Sequence, residues 1–220
     1  MKTALFRIVL PVLLPLLTWA SSSRAMMDDN PLLFGLRVHE LEVAEANRSS
    51  VHGEWWAGRD RNRLLLDFEG DRMNNRWQQT EVAALYSRSV LTYWNVRAGV
   101  TRLLDPQAEN LVQVGLVGLL PYFVESEFDA ALLPSGGVRV RTRLERELLI
   151  TQRLVLTPEV ELSYFDREIG GRGAGLHQHW QLRLGYQVKR ELTPFVGVSL
   201  ERGPGEPTVR SVAVGMRMWF

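Results

Sequence analysis

At 220 residues, with 26 basic against 25 acidic side chains and a formal net charge of +1, the chain has no basic excess to attract a polyanion. Nucleic acid is therefore excluded as a partner. An apolar fraction of 45% excludes a disordered chain, and the absence of cysteine means that an exported form must hold together without disulfides.

The first 25 residues are a separate object. Lys2 and Arg7 flank the start of the apolar run "IVLPVLLPLLTWA", which gives way to "SSSRA", with Ser23 and Ala25 at the small-residue positions of a signal-peptidase site. Residues 1–25 read as a cleaved secretory signal. Pro11 and Pro15 interrupt a run already short for a membrane anchor. Residues 26–31, "MMDDNP", form a short tail, and no run of about 18 apolar residues follows, which excludes a helical span in the remainder.

From Leu32 onward apolar and polar residues alternate at a period of two. In "RLLLDFEG", Leu64, Leu66 and Phe68 share one face and Leu65, Asp67 and Glu69 the other; "YFVESEFDAA", "RTRLERELL", "LTPEVELSYF" and "WQLRLGYQV" divide in the same way. The pattern predicts about 12 strands, near residues 32–44, 50–59, 62–71, 76–89, 93–104, 109–120, 121–132, 137–150, 153–166, 176–190, 194–202 and 207–220. Very short connections alternate with longer polar ones, among them "EANRSS", "DRMNNR", "LDPQAEN", "LPSGG", "DREIGGRGAG" and "RGPGEP". The expected fold is all-β: an antiparallel transmembrane β-barrel over residues 32–220, an up-and-down meander with both termini periplasmic and the longer loops extracellular.

Alternation alone leaves the direction of the polar face open, because a soluble β-domain shows the same pattern with its charges outward. An export signal, an even strand count and the loop asymmetry favour the membrane arrangement. So does the final strand "VAVGMRMWF", whose set Val212, Val214, Met216, Met218 and Phe220 is wholly apolar and would face outer-membrane lipid. Terminal Phe220 is the expected mark for the outer-membrane assembly machinery. Trp77, Tyr93, Trp94, Tyr122 and Trp219, near strand ends, are expected in the interfacial girdles. Two places resist the pattern. Glu40 and Glu42 fall on the apolar parity of Leu36 and Val38, so the first strand either carries a bulge or leaves the membrane early. Arg146 is also on the apolar side, a position tolerable only near an interface.

His177 and His179, two apart in "GLHQHWQ", project from one face of a strand on the lumen parity, as do His52 and Glu54 in the second strand. These four are the candidate metal donors, imidazole suiting a borderline transition metal. Met73 is expected in a loop at the same end. The ladder of Glu125, Glu127, Arg141, Arg143, Glu145, Glu147, Glu159, Glu161 and Arg183 reads most simply as cross-strand ion pairs filling a narrow lumen, and alternatively as a cation path. Ser50 and His52 share a parity, but no hydrolase signature surrounds them, so no enzymatic activity is expected. "GGRGAG" lacks the strand-to-helix setting of a phosphate loop and reads as a flexible extracellular loop.

Taken together, "ALYSR" (84–88), "GLLPY" (118–122), "LLITQRL" (148–154) and "KRELTPFVGV" (189–198), within longer matching stretches spread over residues 33–220, resemble the bacterial copper resistance protein B family. The resemblance implies an outer-membrane β-barrel in copper homeostasis and resistance, associated with copper ions. It also implies a Met- and His-rich segment between signal and barrel. Here only "MMDDNP" stands in that place, so the lumen donors His52, Glu54, His177 and His179 take over as the expected copper ligands. The alternative is a metal-independent narrow channel or structural surface barrel.

Overall fold

The structure, a computed structural model, describes residues 30–45, 47–74 and 76–220. The expected signal, residues 1–25, and most of the tail 26–31 lie outside the described residues. Twelve staves form one antiparallel sheet: β1 Leu33–Ala44, β2 Arg48–Arg59, β3 Asn62–Met73, β4 Arg76–Leu91, β5 Trp94–Asp105, β6 Glu109–Leu120, β7 Val124–Leu132, β8 Val138–Glu145, β9 Leu154–Phe165, β10 Gly175–Tyr186, β11 Leu192–Arg202 and β12 Val209–Trp219. Each pairs with its sequence neighbours, and β12 returns to pair with β1. At that seam Leu36 and Phe220 exchange both backbone bonds, at 3.0 and 2.8 Å. Closure leaves no edge strand unpaired.

Exposure along the staves fixes the direction of the polar face. Val112, Val114 and Val198 are more than half exposed, whereas Thr101, Gln113 and Arg183 are at most 4% exposed. The outer wall is apolar and the charges point inward, the inverse of a soluble sandwich and an arrangement stable only against lipid. Tyr93, Tyr122 and Trp219 are exposed at the end that carries both chain ends of the barrel, and Trp77 is exposed toward the other. Trp94 is instead half-buried, its ring stacked on Phe128 with centroids 6.4 Å apart.

β1 carries a bulge. Its register with β2 shifts between Val38 and Glu40, so His39 and Glu40 together oppose His52. The extra residue reverses the alternation beyond it: Glu42 becomes buried at 6% exposure and Val43 is turned out. β8 is interrupted at Arg146 and Glu147 and resumes as Leu148–Leu149 in the same register with β9. The cause is on the partner strand. Arg146 donates its N–H to the Pro158 carbonyl at 3.1 Å, but Pro158 has no N–H to return.

Three of the connections expected to be long are tight, that between β5 and β6 being residues 106–108. β1 and β2 are joined by residues 45–47 and β3 and β4 by residues 74–75, with Asn47 and Asn74 at φ +58° and +50°. Asparagine adopts that left-handed backbone readily, so the strands run on to the turn itself. The longer loops at this end are 133–137, 166–174 and 203–208. The loop 166–174 is also not a free one. Ile169 and Arg172 exchange backbone bonds of 3.0 Å around Gly170 and Gly171, both at positive φ, in a two-residue hairpin turn. Ile169 is 1% exposed, packed with Leu103, Leu111, Leu133 and Phe165, and Glu109 accepts the Gly170 N–H at 3.1 Å. The hairpin tip is thus pinned into the barrel mouth.

Candidate functional site

β8 sets the interior. Its lumen-facing residues are spaced by two, and each meets a different stave. Arg139 forms a bidentate pair with Glu81 of β4, at 2.6 and 2.8 Å. Arg141 donates to Glu69 of β3 at 3.1 Å, Arg143 to His52 of β2 at 3.3 Å, and Glu145 accepts from Arg217 of β12 at 2.8 Å. Because staves in a barrel are tilted and staggered, one step along a strand moves the opposite neighbour round the wall. The ladder expected between adjacent strands is therefore partly a set of struts across the lumen.

Pairs between adjacent and nearby staves hold Arg143 and two further arginines in turn. Arg143 donates to Glu161 of β9 at 2.7 and 3.1 Å, and Arg183 of β10 donates to Glu159 and lies 3.4 Å from Glu40. Arg97 of β5 reaches over β6 to Asp129 of β7, and to Glu127 at 3.0 Å. Gly115 lies between Arg97 and Asp129 in the register, and a Cβ there would stand 2.0 Å from Asp129 Oδ1. Only glycine leaves that passage open.

Two cavities open within the lumen. One, of about 460 Å³, opens at the end with the 166–174 hairpin. The other, of about 410 Å³, opens at the opposite end, where six carboxylates outnumber four guanidinium groups. Four residues line both: Glu40, His52, Arg143 and Glu159. They form the waist of the barrel, one residue each from β1, β2, β8 and β9.

At this waist the bond partners orient the His52 ring. Arginine can only donate, so Nδ1 of His52 accepts from Arg143 and carries a lone pair directed into the lumen. The proton is on Nε2, which faces Asp67 Oδ1 at 3.7 Å. His39, on the lumen parity just ahead of the extra residue, stacks on His52 with ring centroids 4.7 Å apart and planes at 18°. The Ser50 hydroxyl donates to Glu40, so Ser50 and His52 are not assembled as a nucleophile and its base.

The sequence-predicted donors are distributed around this waist. His52, His177, His179 and Met73 all line the 460 Å³ cavity, whereas Glu54, opposite Arg37 and Asp67 in the register, lines neither cavity. His177 donates from Nε2 to the Gly173 carbonyl at 2.8 Å and packs edge-on against Phe165. His179 lies between Glu161 and Glu201 in the register. Among the described residues no group of three or more His, Asp or Glu is gathered closely enough to hold a metal ion. Glu40 was missed as a member of the site because strict alternation sends it to lipid; the run of misplaced acids Glu40 and Glu42 was itself the signal of the bulge. Met218 also departs from its parity: it lines the cavity at the rim near the chain end.

The family model described as Copper resistance protein B precursor (CopB) matches residues 33–220. The chain is 33% identical over 180 residues to Copper resistance protein B of Escherichia coli, an alignment covering 75% of this chain and 61% of that protein. It is 29% identical over 221 residues to the Copper resistance protein B homolog of Pseudomonas syringae pv. tomato, covering 92% and 75%. The chain thus spans about three fifths of the Escherichia coli relative's length. Among solved structures it resembles the KdgM porin, with a TM-score of 0.54 at 13% identity over 86% of this chain and 99% of that one. The NanC porin gives 0.53 at 12%, over 84% and 99%. At such identities these likenesses establish the barrel alone.

Proposed function

The chain belongs to the copper resistance protein B family, and from that premise we propose that its barrel admits copper ions to the lumen at the outer membrane, holding or passing them there. The observation that carries this reading is the waist. A cation entering either cavity meets an acidic wall and then a neck at which Glu40 and Glu159 offer carboxylate oxygens and His52 an imidazole nitrogen. Oxygen and nitrogen donors of this kind suit Cu(II). His177 and His179, on the wall of the wider cavity, are the proposed first contacts for an arriving ion; Glu54 is kept as a lumen carboxylate behind the waist. In this reading residues 1–25 direct export and both termini lie in the periplasm. The exposed ring of Phe220 is proposed as the mark read by the assembly machinery, and no catalytic step is involved.

The test is copper entry into liposomes that contain the refolded barrel and a copper-quenched dye. Entry faster than into protein-free liposomes and saturating with copper is expected, slowed in the His177→Ala, His179→Ala double variant. A rate equal to that of protein-free liposomes would overturn copper passage. A rate that rises linearly, unchanged by the double variant and matched by potassium, would favour the metal-independent channel.

A further inference from the structure

We propose that the Arg143 guanidinium is a tethered stand-in for the cargo cation, occupying a site made by His52 Nδ1 and Glu161 until a metal ion displaces it. This deepens the copper reading and rests on it for the identity of the cargo, but its geometry is independent of that reading. Arg143 reaches from β8 to contact His52 on β2 and Glu161 on β9 at once, at 3.3 and 2.7 Å, within the neck shared by the two cavities. An imidazole lone pair and a carboxylate converging on one cation is the arrangement a borderline transition metal takes. The remaining ring nitrogen of His52 faces Asp67, the kind of outer carboxylate that orients a metal-binding histidine.

The stand-in explains two features that a purely structural ion pair leaves without a purpose. First, Arg143 gives Nε and one terminal nitrogen to Glu161, with Glu159 at 3.5 Å, and turns its other terminal nitrogen to a histidine, where a carboxylate would hold the arginine more strongly. The contact aims the Nδ1 of His52 into the lumen. Second, the absence of a gathered group of three acidic or imidazole donors among the described residues follows if the charge of the missing ion is supplied by the protein itself. With the guanidinium in place a hydrated potassium ion finds the neck filled by like charge. A copper ion gains nitrogen ligation in exchange for its water, which potassium does not.

The experiment uses the refolded barrel, its folding checked by heat-modifiable migration, as wild type, Arg143→Gln, and Arg143→Gln with His52→Ala. Potassium conductance in planar bilayers is expected to rise about twofold or more in Arg143→Gln, with cation preference increased. Cu(II) titrated into the same variant, followed by nitrogen hyperfine structure in electron paramagnetic resonance, is expected to bind about tenfold more tightly than to wild type. That gain should be lost with His52→Ala. Unchanged conductance together with unchanged copper affinity in Arg143→Gln overturns the proposal, as does a gain in affinity that persists without His52. Should Arg143→Gln fail to fold, the Arg143→Gln, Glu161→Gln variant removes the charge pair as a whole and carries the conductance test alone. Failure of wild-type copper entry into liposomes, with the conductance rise intact, would remove copper as cargo and leave the tethered cation.

Discussion

Arg143 and His52 touch at 3.3 Å although they sit on β8 and β2, staves separated by roughly half the circuit of the barrel. A contact between side chains from opposite walls means that the lumen is spanned by protein at that level. The same strand makes three more such spans, through Arg139, Arg141 and Glu145. β8 therefore works as an internal brace across the lumen.

The most buried strut is Arg139 with Glu81, at 4% and 5% side-chain exposure. Glu81→Gln or Arg139→Met leaves one charge desolvated without its partner and is expected to destabilise the barrel by about 3–5 kcal/mol. Replacing both by Met and Leu should cost far less, since no uncompensated charge remains. Urea unfolding in lipid vesicles, read as a double-mutant cycle, checks both statements; equal losses in the single and double variants would show that the pair is not acting as a unit.

Gly115→Ala is a sharper probe of packing, because it adds one methyl group at a stave whose residue contributes no other side chain. The new Cβ would stand 2.0 Å from Asp129 Oδ1 and close to Arg97 Nε, so the Arg97–Asp129 bond has to open. A loss of about 1–3 kcal/mol is expected from this overpacking. Gly115→Ala in an Asp129→Ala background should add little further loss, as measured by the same unfolding assay.

How much of this was legible in the residues alone follows from what a period of two can encode. It assigns each side chain to a face, and so the inward Thr101, Gln113 and Arg183 and the outward Val112, Val114 and Val198 follow directly once export and closure are inferred. It cannot say which residue stands opposite across the lumen, because that depends on tilt and stagger. For that reason Glu69 never entered the candidate ladder while its partner Arg141 did, and Glu81 stayed out together with its partner Arg139. Local breaks were half legible. The misplaced Glu40 and Glu42 pointed to the bulge, but its consequence, Glu40 turned into the lumen opposite His52, needed the register. The pause at Arg146 could have been read from Pro158 only with the pairing known. Ile169 was overlooked because a glycine-rich polar loop gives no sign that its one apolar residue is an anchor.

The orientation of the wall makes its own prediction. Val114, near the middle of β6 and 54% exposed on the outer face, is expected to lose about 2–4 kcal/mol on replacement by Arg, whereas Tyr122→Arg at the rim should lose about 0–1 kcal/mol. Folding free energies in vesicles test this. A Val114→Arg variant as stable as the rim variant would mean that this face of β6 does not meet lipid.

The hairpin at the barrel mouth should behave as a fixed constriction and not as a swinging loop. Its tip is held by Ile169 in the pocket of Leu103, Leu111, Leu133 and Phe165 and by the Glu109 bond to Gly170, while Gly170, Gly171 and Arg172 line the 460 Å³ cavity. Ile169→Ala removes most of the anchor, a change that costs about 2–5 kcal/mol where a pocket cannot collapse. Here the hairpin can let go, so the loss should appear locally. Amide exchange at residues 169 and 172 is expected to accelerate while the staves stay protected, and potassium conductance should rise as the mouth widens. A variant in which exchange accelerates across β5 and β6 as well would show that the hairpin is part of the wall's own stability and not a device laid across its opening.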